Sequence, residues 1–266
     1  MNAPILVTGG TGTIGRRVVP LLLAAGEDVR ILTRHPGQDA PGVEHRQGDI
    51  VAGTGLVEAL AGVRTVLHLA GGPKGDEVAT RNLAEAARAA GVDHLVVISV
   101  VAADRVPVGY YRAKAASERA VAESGVPWTV LRAAQLHEFV LPVIRGLARL
   151  PLTPVPRGLR VEPVHVEEVA ARLVEVTLGD PAGRVPDIAG PEVLDIPHLL
   201  DAYTELHGRR YPRFPLRIPG AAGRAYRAGD NLADASAVRG RRGWADFLAE
   251  EAAMPAVPAV RRRTTP

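Results

Sequence analysis

The chain has 266 residues, 47% hydrophobic and 23% charged, enough for one sizeable core or a core with a small lobe. It has no cysteine, which excludes disulfides, a thiol nucleophile and a thiolate metal site. The formal charge of +3 is concentrated in Arg261, Arg262 and Arg263 of a proline- and alanine-rich tail; without them basic and acidic side chains balance at 29 each, so no nucleic-acid partner is expected.

The first ten residues lack the basic start and long apolar stretch of a signal peptide, and the apolar run 19–25 is too short to cross a bilayer. A cytoplasmic protein with no membrane partner is expected. "PILVT" (4–8) reads as a strand, and "IGRRVVPLLLAAG" (14–26) as a helix stopped by Gly26, with Pro20 as an internal obstacle. Residues 28–34 form the next strand, 43–50 a short strand and turn, and 65–72 a strand ending in glycines. A long helix over 76–91 stops at Gly91. The strand 94–100, the helix 110–125 and the strand 128–133 follow. This alternation predicts an α/β fold, a Rossmann-type doubly wound parallel sheet.

The pattern breaks after about residue 135. "LPLTPVPRGLRVEPV" is proline-rich, and "VHVEEVAARLVEVTLG" is one more helix. "GRVPDIAG" and "YPRFPLRIP" read as short strands around a helix in "IPHLLDAYTELHG". The layout expected is a dinucleotide-binding core over 1–135, a small C-terminal substrate lobe with a returning helix packed on the core over 136–251, and a disordered tail over 252–266.

"VTGGTGTIGRRVV" (7–19) sits between the first strand and the first helix. Tight turns and close backbone approach need residues without a Cβ, and a helix N-terminus offers free N–H groups to a pyrophosphate. Gly9, Gly12 and Gly15 fit one glycine spacing for such a loop; Gly10, Gly12 and Gly15 fit another. A NAD-binding unit usually carries an acid at the end of its second strand, bonded to the ribose hydroxyls. Here that position reads Thr33-Arg34. A guanidinium pairs with a 2′-phosphate, so NADP(H) is preferred over NAD(H). In "QGDI", Asp49 is placed either to accept from an adenine amino group or to form a Gly-Asp turn.

Ser99 ends the strand "HLVVIS", and ligands of open α/β sheets bind beyond the carboxyl ends of the strands. Tyr110 and Lys114, four apart, share one helix face. The three are therefore a candidate catalytic set, with a neighbouring ammonium and an oxidised nicotinamide expected to lower the phenol's pKa and Tyr110 acting as acid/base. Tyr111 is the alternative register. His137 in "QLHEF" is placed beside the substrate crevice with Gln135 and Phe139, either titrating there or packed structurally. No metal-ligand spacing occurs among the eight histidines.

"TGGTGTIG", "GDI", "HLAGG", "RNLAEAARAAGVDHLVVIS", "YYRAK" and "PWTVLRAAQLHEF" resemble the atypical, extended-like short-chain dehydrogenases/reductases, the NmrA-like NAD(P)H-binding proteins above all. The resemblance implies that Gly9, Thr11, Gly12, Thr13 and Ile14 touch the pyrophosphate and that Gly15 allows helix packing. It implies Arg34 at the 2′-phosphate, Asp49 and Ile50 at the adenine, and Leu69, Ala70 and Gly71 along the ribose. Ser99, Tyr110 and Lys114 would be the catalytic set, with Lys114 also bonding the ribose, and Asn82 would lie near an active-site water. Two features depart from the family pattern: Ser99 is close to Tyr110 in sequence, and "ISVV" lacks the usual second serine.

The leading expectation is an NADP(H)-dependent oxidoreductase that moves hydride to or from a small carbonyl, enone or quinone. The alternatives are a non-catalytic NADP(H)-sensing regulator with a protein partner, and a sugar-nucleotide epimerase. Monomer and dimer stay open.

Overall fold

A computed structural model describes residues 3–35, 37–72, 75–206, 208 and 212–253. In chain order β1 (Ile5–Thr8) leads to α1 (Gly15–Ala24), β2 (Val29–Thr33) and β3 (Val43–Gln47). Then come α2 (Leu56–Leu60), β4 (Thr65–His68), α3 (Asp76–Ala89), β5 (His94–Val100), α4 (Gly109–Ala122) and β6 (Trp128–Ala133). The second half holds α5 (His137–Leu147), β7 (Thr153–Pro156), β8 (Arg160–Val161), α6 (Val166–Leu178), β9 (Gly183–Arg184) and β10 (Ile188–Ala189). It continues with β11 (Leu194–Asp195), α7 (Ile196–Leu206), β12 (Arg213–Leu216), α8 (Gly220–Ala228), β13 (Val238–Arg239) and α9 (Trp244–Ala253).

The main sheet is parallel throughout, in the order β13-β10-β6-β5-β4-β1-β2-β3, with β9 also paired to β6. The chain leaves β1 toward β2 and β3, then returns to β4 on the other side. The order therefore reverses between β1 and β4, which opens a crevice at their carboxyl ends. All four residues of β1 are buried, as a sheet covered on both faces requires. On one face α1 and α6 pack together through Val18, Leu22, Val169, Ala170 and Leu173. On the other, α2, α3 and α4 cover it with Leu56, Leu60, Leu83, Ala87 and Val121.

Helix α1 runs through Pro20. The ring removes one backbone donor, but Pro20 and Arg16 are both exposed, so water can serve the Arg16 carbonyl that loses its partner. After residue 135, where the sequence pattern breaks, α5 forms despite Pro142. Its Leu141, Ile144 and Ala148 join Leu199 and Leu200 of α7 and Trp244, Phe247 and Leu248 of α9 in a third core. Tertiary burial here outweighs weak local helix propensity. Helix α9 takes in residues 252 and 253, which were expected to belong to the tail; residues 254–266, with the three arginines, lie outside the described residues.

Candidate active site

Beyond β1 the chain turns tightly into α1. Gly9 has a φ of +72°, and the Gly12 N–H donates to the Gly9 carbonyl at 2.9 Å. A Cβ on Gly9 would stand 2.7 Å from the backbone nitrogen of Ala70, and one on Gly15 2.3 Å from the oxygen of Gly9. Gly12 differs. A Cβ there would meet nothing nearer than the Gly9 oxygen at 3.2 Å, and the residue faces a cleft. Among the described residues, the N–H groups of Thr13 and Ile14 have no acceptor in the protein. A cradle that a side chain would fill, with free N–H groups at a helix N-terminus, suits a pyrophosphate.

Two adjoining cavities open from this loop. The first, about 510 Å³, is lined by Gly9, Gly12, Thr13, Ile14, Gly15, Leu69 and Gly71 on the loop side. Ser99, Tyr110, Tyr111, Lys114, Gln135 and Phe139 line its far side. The second, about 620 Å³, is lined by Thr11, Arg34, Asp49, Ile50 and Ala70, among others. The two meet at Gly9, Gly71, Gly72 and Asp76. Together they make one continuous groove on either side of the glycine loop. Arg34 lies exposed at its far end, with no ion pair among the described residues. Asp49 lines the same end, but its Oδ1 accepts the N–H groups of Val51 and Ala52, the turn geometry.

At the other end, Ser99 is 3% exposed and its Oγ has no hydrogen-bond partner. Tyr110 is 49% exposed. Its neighbour Tyr111 is buried, with its ring edge against that of Tyr110 at 5.6 Å. Burial, reinforced by the Tyr226 phenol, pushes the Tyr111 hydroxyl up to about 12. The Lys114 ammonium, though it lines the cleft, is not unpaired there: Asp76 holds it at 2.7 Å. The Tyr110 phenol accordingly shifts upward, through partial burial first and the Asp76 carboxylate second. This corrects the expectation that Lys114 lowers it.

His137 also needs correction. It is fully buried and lines neither cavity. Its ring stacks on Phe247 at 5.0 Å and packs against Trp244 and His165. Burial, then the nearby His165, drives its pKa down to about 4, so it is a neutral core ring. The α5 turn aims Phe139 outward and His137 inward. Asn82 is likewise no neighbour of the cleft: its amide donates to the Ile50 and Val51 carbonyls at 3.0 Å each and ties down that loop.

Asp76 is the site residue that sequence reasoning missed. Its only signal was an acid at the start of a helix, which any solvated first turn carries.

The matches to known proteins agree with this geometry. Residues 9–177 match the family model described as NAD(P)H-binding. A reductase of (4-alkanoyl-5-oxo-2,5-dihydrofuran-3-yl)methyl phosphate from Streptomyces griseus is 37% identical over 200 residues, 71% of this chain and 69% of that protein. An NAD(P)H azoreductase from Xenophilus azovorans is 30% identical, covering 87% of this chain and 84% of its own. An Escherichia coli NADPH-dependent quinone oxidoreductase, solved with NADPH, superposes with a TM-score of 0.79 at 21% identity, over 93% of this chain and 99% of that one. The family match spans the glycine loop, strands β2 to β6 of the sheet and nearly all of the returning helix α6, and on it the chain belongs to the NAD(P)H-binding family of atypical short-chain dehydrogenases/reductases.

Proposed function

We propose that the protein is an NADP(H)-dependent oxidoreductase that reduces a small uncharged carbonyl, enone or quinone. The observation that carries this reading is the convergence of Ser99, Tyr110 and Lys114 on the cleft into which the glycine loop opens. Gly12, Thr13 and Ile14 hold the pyrophosphate, and Arg34 pairs with the 2′-phosphate at the outer end. Bound there, the reduced nicotinamide supplies a hydride. Tyr110 gives its proton to the substrate oxygen. Ser99, buried and without a partner, is free to orient that oxygen. Gln135 and Phe139 border the substrate.

The lining also bears on substrate class. Its remaining members are largely apolar: Ile14, Leu69, Ile98, Val100, Ala133, Ala134 and Leu136. Among the described residues its only charged side chains are Asp76 and Lys114, and these pair with each other. Among the described residues of this wall a diphosphate would find no unpaired cation, which weighs against the epimerase reading. The reductase and azoreductase relatives support a reductive role.

Purified protein incubated with NADPH and a panel of quinones, enones and aldehydes tests the reading. Loss of NADPH absorbance that depends on the acceptor is expected. Tight NADPH binding with no turnover across the panel would overturn it in favour of the sensor.

A further inference from the structure

Asp76 is buried at the junction of the two cavities, 7% exposed, as the first residue of α3. One carboxylate oxygen accepts the Gly72 N–H at 2.6 Å, and the other holds the Lys114 ammonium at 2.7 Å. The fit around the pair is close. A Cβ on Gly71 would stand 3.1 Å from Lys114 Nζ and 3.5 Å from Asp76 Oδ2.

The backbone of Asp76 is anchored as well. Thr80 Oγ1 donates to the Asp76 carbonyl at 2.7 Å, so it accepts from His68 Nε2 at 3.2 Å. His68 Nδ1 then accepts from Thr8 Oγ1 at 2.7 Å, which itself accepts the Ala70 N–H at 3.3 Å. The chain of bonds runs from Thr8, at the end of β1, to the main-chain carbonyl of the residue whose carboxylate holds the lysine. Burial, then the Lys114 charge, takes His68 down to about 4, consistent with a neutral ring.

We propose that Asp76 is a positioning residue for the reaction of Tyr110: it holds Lys114 and cancels its charge, keeping Tyr110 as the protonated phenol of a site built for reduction. This rests on the function proposed above. In the reduction, the substrate carbon gains the hydride of the reduced nicotinamide, and the C=O π pair moves onto oxygen. That oxygen takes the Tyr110 proton, and the half-exposed phenolate recovers one from water. The reverse reaction needs the phenolate first, which an anion nearby disfavours. Among the described residues, the charged or titratable groups that share the cavity with Tyr110 are Asp76 from α3 and Lys114 and Tyr111 from its own helix, with Tyr226 of α8 acting through Tyr111. The upward shift of Tyr110 agrees with this arrangement.

The test replaces Asp76 with its neutral isostere, Asp76→Asn, and titrates tyrosine ionisation by ultraviolet difference in protein without cofactor. Subtracting a Tyr110→Phe variant in each background isolates Tyr110. Its midpoint should fall by at least about one unit once Lys114 is unopposed. The alkaline limb of kcat/KM for reduction should fall with it, and Asp76→Glu should restore both. Lys114→Met, read the same way, should raise the midpoint, because the carboxylate then stands alone. It also serves if Asp76→Asn fails to fold. An unmoved Tyr110 midpoint in either folded variant overturns the proposal. A midpoint that moves in a protein with no turnover leaves Asp76 as assigned and rejects the function instead.

Discussion

A methyl group on Gly15 would stand 2.3 Å from the carbonyl oxygen of Gly9, whereas one on Gly12, between them, would face the open cleft. The two outer glycines serve the turn; the middle one lines the cleft where the proposed function seats the pyrophosphate. Gly12→Val should therefore abolish NADPH binding with little change in melting temperature. Gly15→Ala should lower both, since overpacking costs about 1–3 kcal/mol. Fluorescence titration and thermal denaturation of the two variants separate these roles. Parent-like NADPH affinity in Gly12→Val would place the dinucleotide elsewhere.

Arg34 lies at the groove's outer end without an ion pair among the described residues, free for a phosphate. A charge-assisted bond contributes about 1.5–3 kcal/mol. The parent should prefer NADPH to NADH by roughly ten- to hundredfold, and Arg34→Ala should erase most of that gap. Competition titrations with both cofactors measure it, and equal affinities in the parent would refute the assignment.

Tyr110 is half exposed in the cleft, and Tyr111 is buried against it and near Tyr226 and Gln135. Tyr110→Phe should cut turnover by about 10²–10⁴-fold at unchanged NADPH affinity, because only the proton donor is lost. Tyr111→Phe should be mild. Since the Tyr110 phenol is shifted upward, reduction should persist through neutral pH and fall only in strongly alkaline solution. Steady-state kinetics of the two variants decide between the hydroxyls; a dead Tyr111→Phe beside an active Tyr110→Phe would reverse the roles.

His137 links stability to pH. Its folded pKa of about 4 lies below the ordinary value of about 6.5, so the unfolded chain binds the proton first. Its contribution is fully present above about pH 6.5 and is lost as pH falls toward 4, with a ceiling of about 3 kcal/mol. His137→Phe, a ring that suits the stack on Phe247, should flatten this part of the profile. Urea denaturation between pH 7 and 4.5 measures it. A parent-like slope in a folded variant would count against the buried neutral ring.

Much of the first half was legible because local signals agree there. Strands β1, β2, β4, β5 and β6 centre on short apolar runs, helices α1, α3 and α4 were read from their pattern, and glycines stand where a turn requires them, whereas the five-residue α2 went unread. Even Pro20, a local conflict, left the period readable, and the helix forms. In the second half prolines and glycines interrupt the period. Helix α5, with Pro142 inside it, exists because Leu141 and Ile144 find a core made by α7 and α9, far along the chain.

The sequence by itself determined the parallel sheet, the cofactor loop and the one-turn spacing of Tyr110 and Lys114. These depend on neighbours a few residues apart, where backbone geometry and periodicity leave few choices. Tertiary structure alone decided what those side chains meet. It sent His137 into the core and Phe139 to the cleft, and it placed Asp76 of α3 against Lys114 of α4, 38 positions away in the chain. The carboxylate that pairs with Lys114 comes from another helix, and no pattern within either helix records it.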